Sequence, residues 1–447
     1  MVRAFRQVAM VLSGVSCLTL ARAQEPKQGP PLRLPNGEPL VAIYFFPHWW
    51  EPWKSSDERV LADMRMLREM GINTLLLDHE WSQAIDGNWR LLDRSYRLAK
   101  EAGLSILPWL SAKTWSDMGD GSRPVLVKEQ YGVDLTFGVN QKGERSVVQP
   151  WADATIQAGA AYAAEYLKRY EADGALLHLR WQGQVRPVVA LTVELAWAGP
   201  SSFDDATNEM FRQWVRGRHG TIAAVNAAWG TTCGSFDGID PRDQTVFDYD
   251  AHLSGAAKHP QAVEDHIQFR AQVVDDALAR QKELLRKTWP QALIASELPY
   301  QIAAEHGHAK AYRIAYGANP TMADHADLLV LRMTGPMSPP ERKALDEYTQ
   351  ATKKPVILAY RTYPSVWGLA PDKGGEPFEK SAEVYAGEAL ELGNGLGFYS
   401  FNEMVDVHVA TGGAIDAMRV TEEQSQVMLQ RLRAIVARYR QLASVAP

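Results

Sequence analysis

The chain has 447 residues, 46% of them hydrophobic and 22% charged, with a net charge of −6. That balance fits an ordinary globular protein large enough for a full hydrophobic core, and excludes a disordered or fibrous chain. An acidic surface also argues against nucleic acid as a partner, which calls for a basic patch.

The N-terminal stretch MVRAFRQVAMVLSGVSCLTLARA carries Arg3 and Arg6, an apolar run from Val8 to Leu20, and a small-residue Ala21-Arg22-Ala23 end. This is the order of a cleaved secretory signal, and its apolar run is too short to span a bilayer. The expected mature protein is therefore secreted or periplasmic, with no membrane partner after cleavage. Removing residues 1–23 takes three arginines and no acid, so the net charge moves from −6 to −9. Only Cys233 then remains, which excludes an internal disulfide and a multi-cysteine zinc site. Residues 24–39, rich in Pro and Gly, read as an unstructured lead-in.

From residue 40 a rhythm begins. VAIYFFPHWW (41–50) is a β-rich apolar run. A helix follows at 55–71, with Ser55 and Glu58 as a capping box, Val60, Met64 and Leu67 as its apolar stripe, and Gly71 to close it. Further strands are expected at 72–81, 104–113, 188–194, 292–301, 326–335, 354–364 and 395–403. Helices are expected at 89–103, 153–171, 204–219, 261–288, 339–352, 379–392 and 421–441. An insertion interrupts the pattern at 114–150, and LLHLRW (176–181) leaves room for one more short strand. Eight buried strands separated by amphipathic helices predict an α/β fold, a (β/α)8 barrel formed by residues 40–447 as one domain. No Gly-x-Gly-x-x-Gly turn follows the first strand, which weakens an open dinucleotide-binding sheet.

In such a barrel the site lies where the strands end. The strand ends carry His48, Trp49, Trp50, Asp78, Glu80, Trp81, Trp115, Glu194, Trp197, Glu297, Tyr300, Arg332, Tyr360, Arg361, Asn402 and Glu403. Polar groups at the ends of apolar strands are costly to bury unpaired and are better explained as lining a cleft. Of 14 tryptophans, several fall within a few residues of a strand end, and flat apolar rings beside acids suit the C–H faces and hydroxyls of a sugar. Glu194 then suits a general acid, its carboxyl held protonated by partial burial beside Trp197. A structural ion pair to Arg180 or Arg332 accounts for it equally well from the residue alone. Neither a metal nor a cofactor is expected: Asp78, His79 and Glu80 are adjacent on a strand and so alternate sides, and no ligand spacing recurs.

FRQWVRGRHGTIAAVNAAWGT (211–231), with ELAWAG (194–199) before it, resembles the segment after the acid/base glutamate in glycoside hydrolase family 42 β-galactosidases and family 50 agarases. The resemblance implies a retaining O-glycosidase on a (β/α)8 barrel, acting on a poly- or oligosaccharide, with Glu194 as acid/base on strand four. Those families commonly carry Asn before that glutamate, where this chain has Val193. They also place the nucleophilic Glu on strand seven, where KPVILAYRTYP (354–364) has Tyr360 followed by Arg361. Glu297 is the first alternative for the second catalytic carboxylate. Glu403 and Glu80 follow, and Tyr360 could itself serve as nucleophile. A barrel that binds carbohydrate without cleaving it is the competing reading. A lyase or isomerase would require a different base and a metal set that the sequence does not offer.

Overall fold

The computed structural model describes residues 30–47, 55–80, 89–111, 128–132, 134–149, 151–191, 202–299, 324–333, 335–362, 367, 378–405 and 420–446. Eight parallel strands close into a barrel: β1 (Val41–Tyr44), β2 (Thr74–Glu80), β3 (Ser105–Ser111), β7 (Gln184–Leu191), β8 (Leu293–Pro299), β9 (Leu328–Met333), β10 (Val356–Arg361) and β11 (Gly395–Tyr399). Each pairs with the next, β1 pairs with β11, and the Trp109–Ala190 register between β3 and β7 closes the ring. Outside the barrel, β4 (Phe137–Val139) and β5 (Arg145–Val148) form a hairpin within the insertion.

The segment 176–181 does supply a further strand. It is β6 (His178–Trp181), which runs antiparallel to β7 and is not a barrel stave. Gln182 and Gly183 join the two with φ of 49° and 79°, the paired positive values of a type I′ hairpin turn.

Strand alternation divides the core. Leu40, Ala42, Tyr44, Leu76, Leu107, Trp109, Val188, Ala190, Leu293, Ala295, Leu328, Val330, Ile357 and Ala359 fill the barrel interior. Their neighbours in sequence face the helices and build a larger shell. On β11 the interior positions at 395 and 397 are glycine. A Cβ on Gly397 would stand 3.1 Å from the Ala359 Cβ, so the bare backbone lets β10 and β11 pack across that layer.

The helices form α1 (Asp57–Glu69), α2 (Arg90–Ala102), α3 (Asp153–Tyr170), α4 (Asp205–His219), α5 (Ile222–Trp229), α6 (Tyr249–Ser254), α7 (Pro260–Thr288), α8 (Pro339–Thr352), α9 (Phe378–Glu391), α10 (Asn402–Val405) and α11 (Glu422–Val445). In α1 the cap is Ser56, not Ser55: its Oγ accepts from Arg59 N, while Val60, Met64 and Leu67 are buried as expected and Gly71 follows with φ +96°.

Residues 30–39 depart from the unstructured lead-in expected of them. Leu32 and Leu34 join the interior cluster beneath the N-terminal ends of the strands. Leu32 N donates to Asn394 O at 2.7 Å, Leu40 N to Leu32 O at 2.8 Å, and Arg180 N to Arg33 O at 2.9 Å. The two leucines plug an end of the barrel that would otherwise expose apolar surface. Proline and glycine content signalled a turn, and hid the hydrophobic anchors between them.

Candidate active site

The interior positions at the C-terminal ends of the strands are no longer apolar. Leu293 and Ala295 face inward on β8, and Glu297 continues that face with no exposed surface. By the same alternation Arg332 extends the inward face of β9 and Arg361 that of β10. A buried carboxylate requires a partner, and two groups meet on one oxygen of Glu297: Arg332 Nε forms an ion pair with Oε1, and the Tyr44 hydroxyl donates to the same atom at 3.2 Å.

Aromatic rings hold this pair in place. Tyr44 meets the edge of Trp109 at 4.6 Å and that of Tyr399 at 4.6 Å. The guanidinium of Arg332 lies 5.0 Å from the centroid of the Tyr399 ring and that of Arg361 lies 5.4 Å from it. Six strands thus bring Tyr44, Trp109, Glu297, Arg332, Arg361 and Tyr399 into one cluster inside the C-terminal end of the barrel. Among the described residues none accepts from the buried Trp109 indole N–H.

Of the residues expected at the site, the structure therefore gathers Glu297, Arg332 and Arg361. Asn402 and Glu403 lie just past β11, on α10 and not on the strand. The Asn402 amide clasps the backbone of Phe46, accepting from its N at 3.1 Å and donating to its O at 3.4 Å, so it serves as a tie between the ends of β1 and β11. Glu403 is partly exposed and accepts from Ser400 N at 3.3 Å. Asp78 and Glu80 stand on β2 in register with Trp109 and Ser111. Glu194, His48, Trp49, Trp50, Trp81, Trp115, Trp197 and Tyr300 lie outside the described residues; β7 itself ends at Leu191, shortly before Glu194.

Tyr360 is corrected. It faces away from the barrel interior, fully buried against α9, where its hydroxyl donates to Glu388 Oε2 at 3.0 Å and its ring meets Tyr385 edge-on. Burial, followed by the neighbouring Glu388 carboxylate, pushes its hydroxyl well above the ordinary tyrosine range. It is an anchor between strand and helix, unsuited to be a nucleophile. Sequence counting missed the offset of one residue, which sends Tyr360 to the helices and Arg361 to the interior. Tyr44 and Tyr399 were not singled out, although their inward parity with Ala42 and with Gly395 and Gly397 was readable.

The segment 202–259 folds as a small helical unit on α7, with Phe211, Val215, Val225, Trp229, Phe247 and Phe269 as its core. The buried carboxylate of Asp265 on α7 ties it down. Its Oδ2 accepts from His219 Nε2 at 2.7 Å and from Trp229 Nε1 at 2.8 Å, and its Oδ1 accepts from Gln261 Nε2 at 2.7 Å. The residues that carried the sequence resemblance are thus those of a structural clamp downstream of Glu194. Among the described residues no three His, Cys, Asp or Glu side chains converge to hold a metal ion.

Fold and cluster together define a (β/α)8 barrel with a polar and aromatic C-terminal end. The comparisons agree with that fold. Residues 165–314, which span Glu194 and Glu297, match the Glyco_hydro_42 β-galactosidase family profile. Among solved structures, the GH42 β-galactosidase Gan42B from G. stearothermophilus superposes with a TM-score of 0.58 at 13% identity, over 91% of this chain and 57% of that one. The β-galactosidase of Bacillus circulans sp. alkalophilus gives 0.54 at 13% identity, covering 92% of this chain and 56% of its own. The catalytic domain of β-amylase from Paenibacillus polymyxa gives 0.55 at 15% identity, over 85% of this chain and 96% of that one. The chain spans just over half the length of these β-galactosidases.

Proposed function

We propose that this protein is an exported O-glycosidase acting on a poly- or oligosaccharide, with Glu194 as general acid/base and Glu297 as the second carboxylate. One observation carries the reading: the polar and aromatic cluster around Glu297 at the C-terminal end of the barrel, with Glu297 itself in the same matched segment as Glu194. Glycoside hydrolysis needs one carboxyl protonated and the other ionised. The Arg332 guanidinium paired with Glu297 and the Tyr44 hydroxyl bonded to it suit a carboxylate in the attacking or base role. Glu194 would protonate the glycosidic oxygen as its bond to the anomeric carbon breaks. Glu297 would attack that carbon, or take the proton of a water that does. Tyr399 and the tryptophans near the strand ends would face the sugar.

Arg361, the interior residue at the end of strand seven, favours a second reading in which the barrel binds carbohydrate without cleaving it. A panel of aryl glycosides and plant or algal polysaccharides separates the two, assayed with wild type and Glu297→Gln. The glycosidase reading expects cleavage by wild type and its loss in the variant. Sugar binding with no cleavage on any substrate would leave the binding reading in its place.

A further inference from the structure

We infer that Tyr44 is a positioning residue for Glu297, setting the charge and orientation of the carboxylate together with Arg332; this rests on the glycosidase reading above. Tyr44 belongs to strand one and is remote in sequence from every acid considered for the reaction. It is fully buried, faces the barrel interior, and donates its hydroxyl to Glu297 Oε1 at 3.2 Å. Arg332 Nε reaches the same oxygen. A hydrogen bond from Tyr44 and a guanidinium charge on the same carboxylate oxygen restrict rotation of the group about its terminal bond, and both stabilise the charged form over the neutral one.

The tyrosine is itself immobilised. Trp109 and Tyr399 each meet its ring at 4.6 Å, at interplanar angles of 78° and 60°, and Phe46 lies 6.2 Å away. Its backbone carbonyl accepts from Phe401 N at 2.9 Å, which ties the end of β1 to the turn after β11. The hydroxyl therefore holds a fixed place against the carboxylate, and the strand-end aromatics serve the acid indirectly. Phenylalanine at this position keeps the ring contacts and removes only the hydroxyl.

The test is the pH dependence of kcat/KM on a cleaved aryl glycoside for wild type, Tyr44→Phe and Glu297→Gln. Loss of a hydrogen bond to the charged form raises the carboxyl pKa, so the acid limb of the Tyr44→Phe profile should move up by about one pH unit. With it, kcat should fall roughly tenfold while KM stays within about twofold, because the hydroxyl is committed to Glu297. Glu297→Gln should lose the acid limb along with the activity. An acid limb that stays where wild type has it overturns the inference, whatever happens to kcat. Should Tyr44→Phe fail to fold, 3-fluorotyrosine at position 44, a more acidic and so stronger donor, carries the same test: the acid limb should move down, and an unmoved limb overturns the inference. Full activity in Glu297→Gln, or no cleavage by wild type, removes the glycosidase reading and this inference with it; an active wild type with an unmoved Tyr44→Phe profile removes the inference alone.

Discussion

Replacing Asp265 by alanine should cost the folded protein about 3–5 kcal/mol, the range for breaking a buried charged network by removing one partner. The magnitude follows from what is left behind. The Asp265 carboxylate has no exposed surface and takes hydrogen bonds from His219, Trp229 and Gln261 at 2.7, 2.8 and 2.7 Å. Arg218 Nε stands 3.5 Å from its other face. Trp229 is itself buried, so its indole N–H would lose its acceptor with no water in reach, at about 1–3 kcal/mol. His219 and Gln261 are nearer the surface and would recover part of their loss from solvent. Asp265→Asn keeps one carbonyl oxygen for Trp229 and should cost only about 1–2 kcal/mol. Urea denaturation followed by tryptophan fluorescence measures both, since Trp214 and Trp229 sit in the unit that the clamp secures. An alanine variant within 1 kcal/mol of wild type, or an asparagine variant as costly as alanine, would refute the clamp.

Three further outcomes follow from the packing. Tyr360→Phe should keep wild-type kcat and lose about 1–2 kcal/mol of stability through the bond to Glu388; a collapse of activity in a folded variant would restore the tyrosine to the reaction. Leu32→Ala combined with Leu34→Ala should destabilise by at least about 2–4 kcal/mol by opening the plugged end of the barrel, and an unchanged denaturation midpoint would contradict the plug. Glu38 is held at a pKa of about 2, against 4.5 ordinarily, chiefly by its hydrogen bonds from Arg68, with Arg440 and Asn73 adding to it. A depressed carboxyl contributes stability that is full above pH 4.5 and is lost as pH falls toward about 2. The stability gap between wild type and Glu38→Gln should therefore close across that window; a gap independent of pH would show that the ion pair is not its source.

The eight barrel strands were legible because each is an apolar run of strand length bounded by turn residues and followed by a helical stripe. Capping chemistry placed α1 to within a residue, Ser56 taking the role expected of Ser55. Parity was harder. The run VILAYR gives no sign of which face meets the interior, so Tyr360 was set in the cleft when Arg361 holds that place. In VAIYFF, Tyr44 reads as one more core residue, and its hydroxyl acquires a role only when β8 closes beside the other staves to present Glu297. Long-range pairs of this kind depend on barrel closure, which no local pattern encodes. A charged residue ending LLVLR has few places to go but the strand end, where Arg332 pairs with Glu297. The motif at 211–231 carried the resemblance, and its His219 and Trp229 bond to Asp265.

The role of Glu194 is open to one direct measurement: kcat/KM for wild type and Glu194→Gln on a matched pair of aryl glycosides, one with a leaving group acidic enough to depart unprotonated and one that needs a proton. A general acid matters only to the second. The account predicts that Glu194→Gln loses roughly a hundredfold or more on the poor leaving group and far less on the good one. Equal losses on both substrates, or no loss on either, would contradict Glu194 as the acid that this barrel supplies.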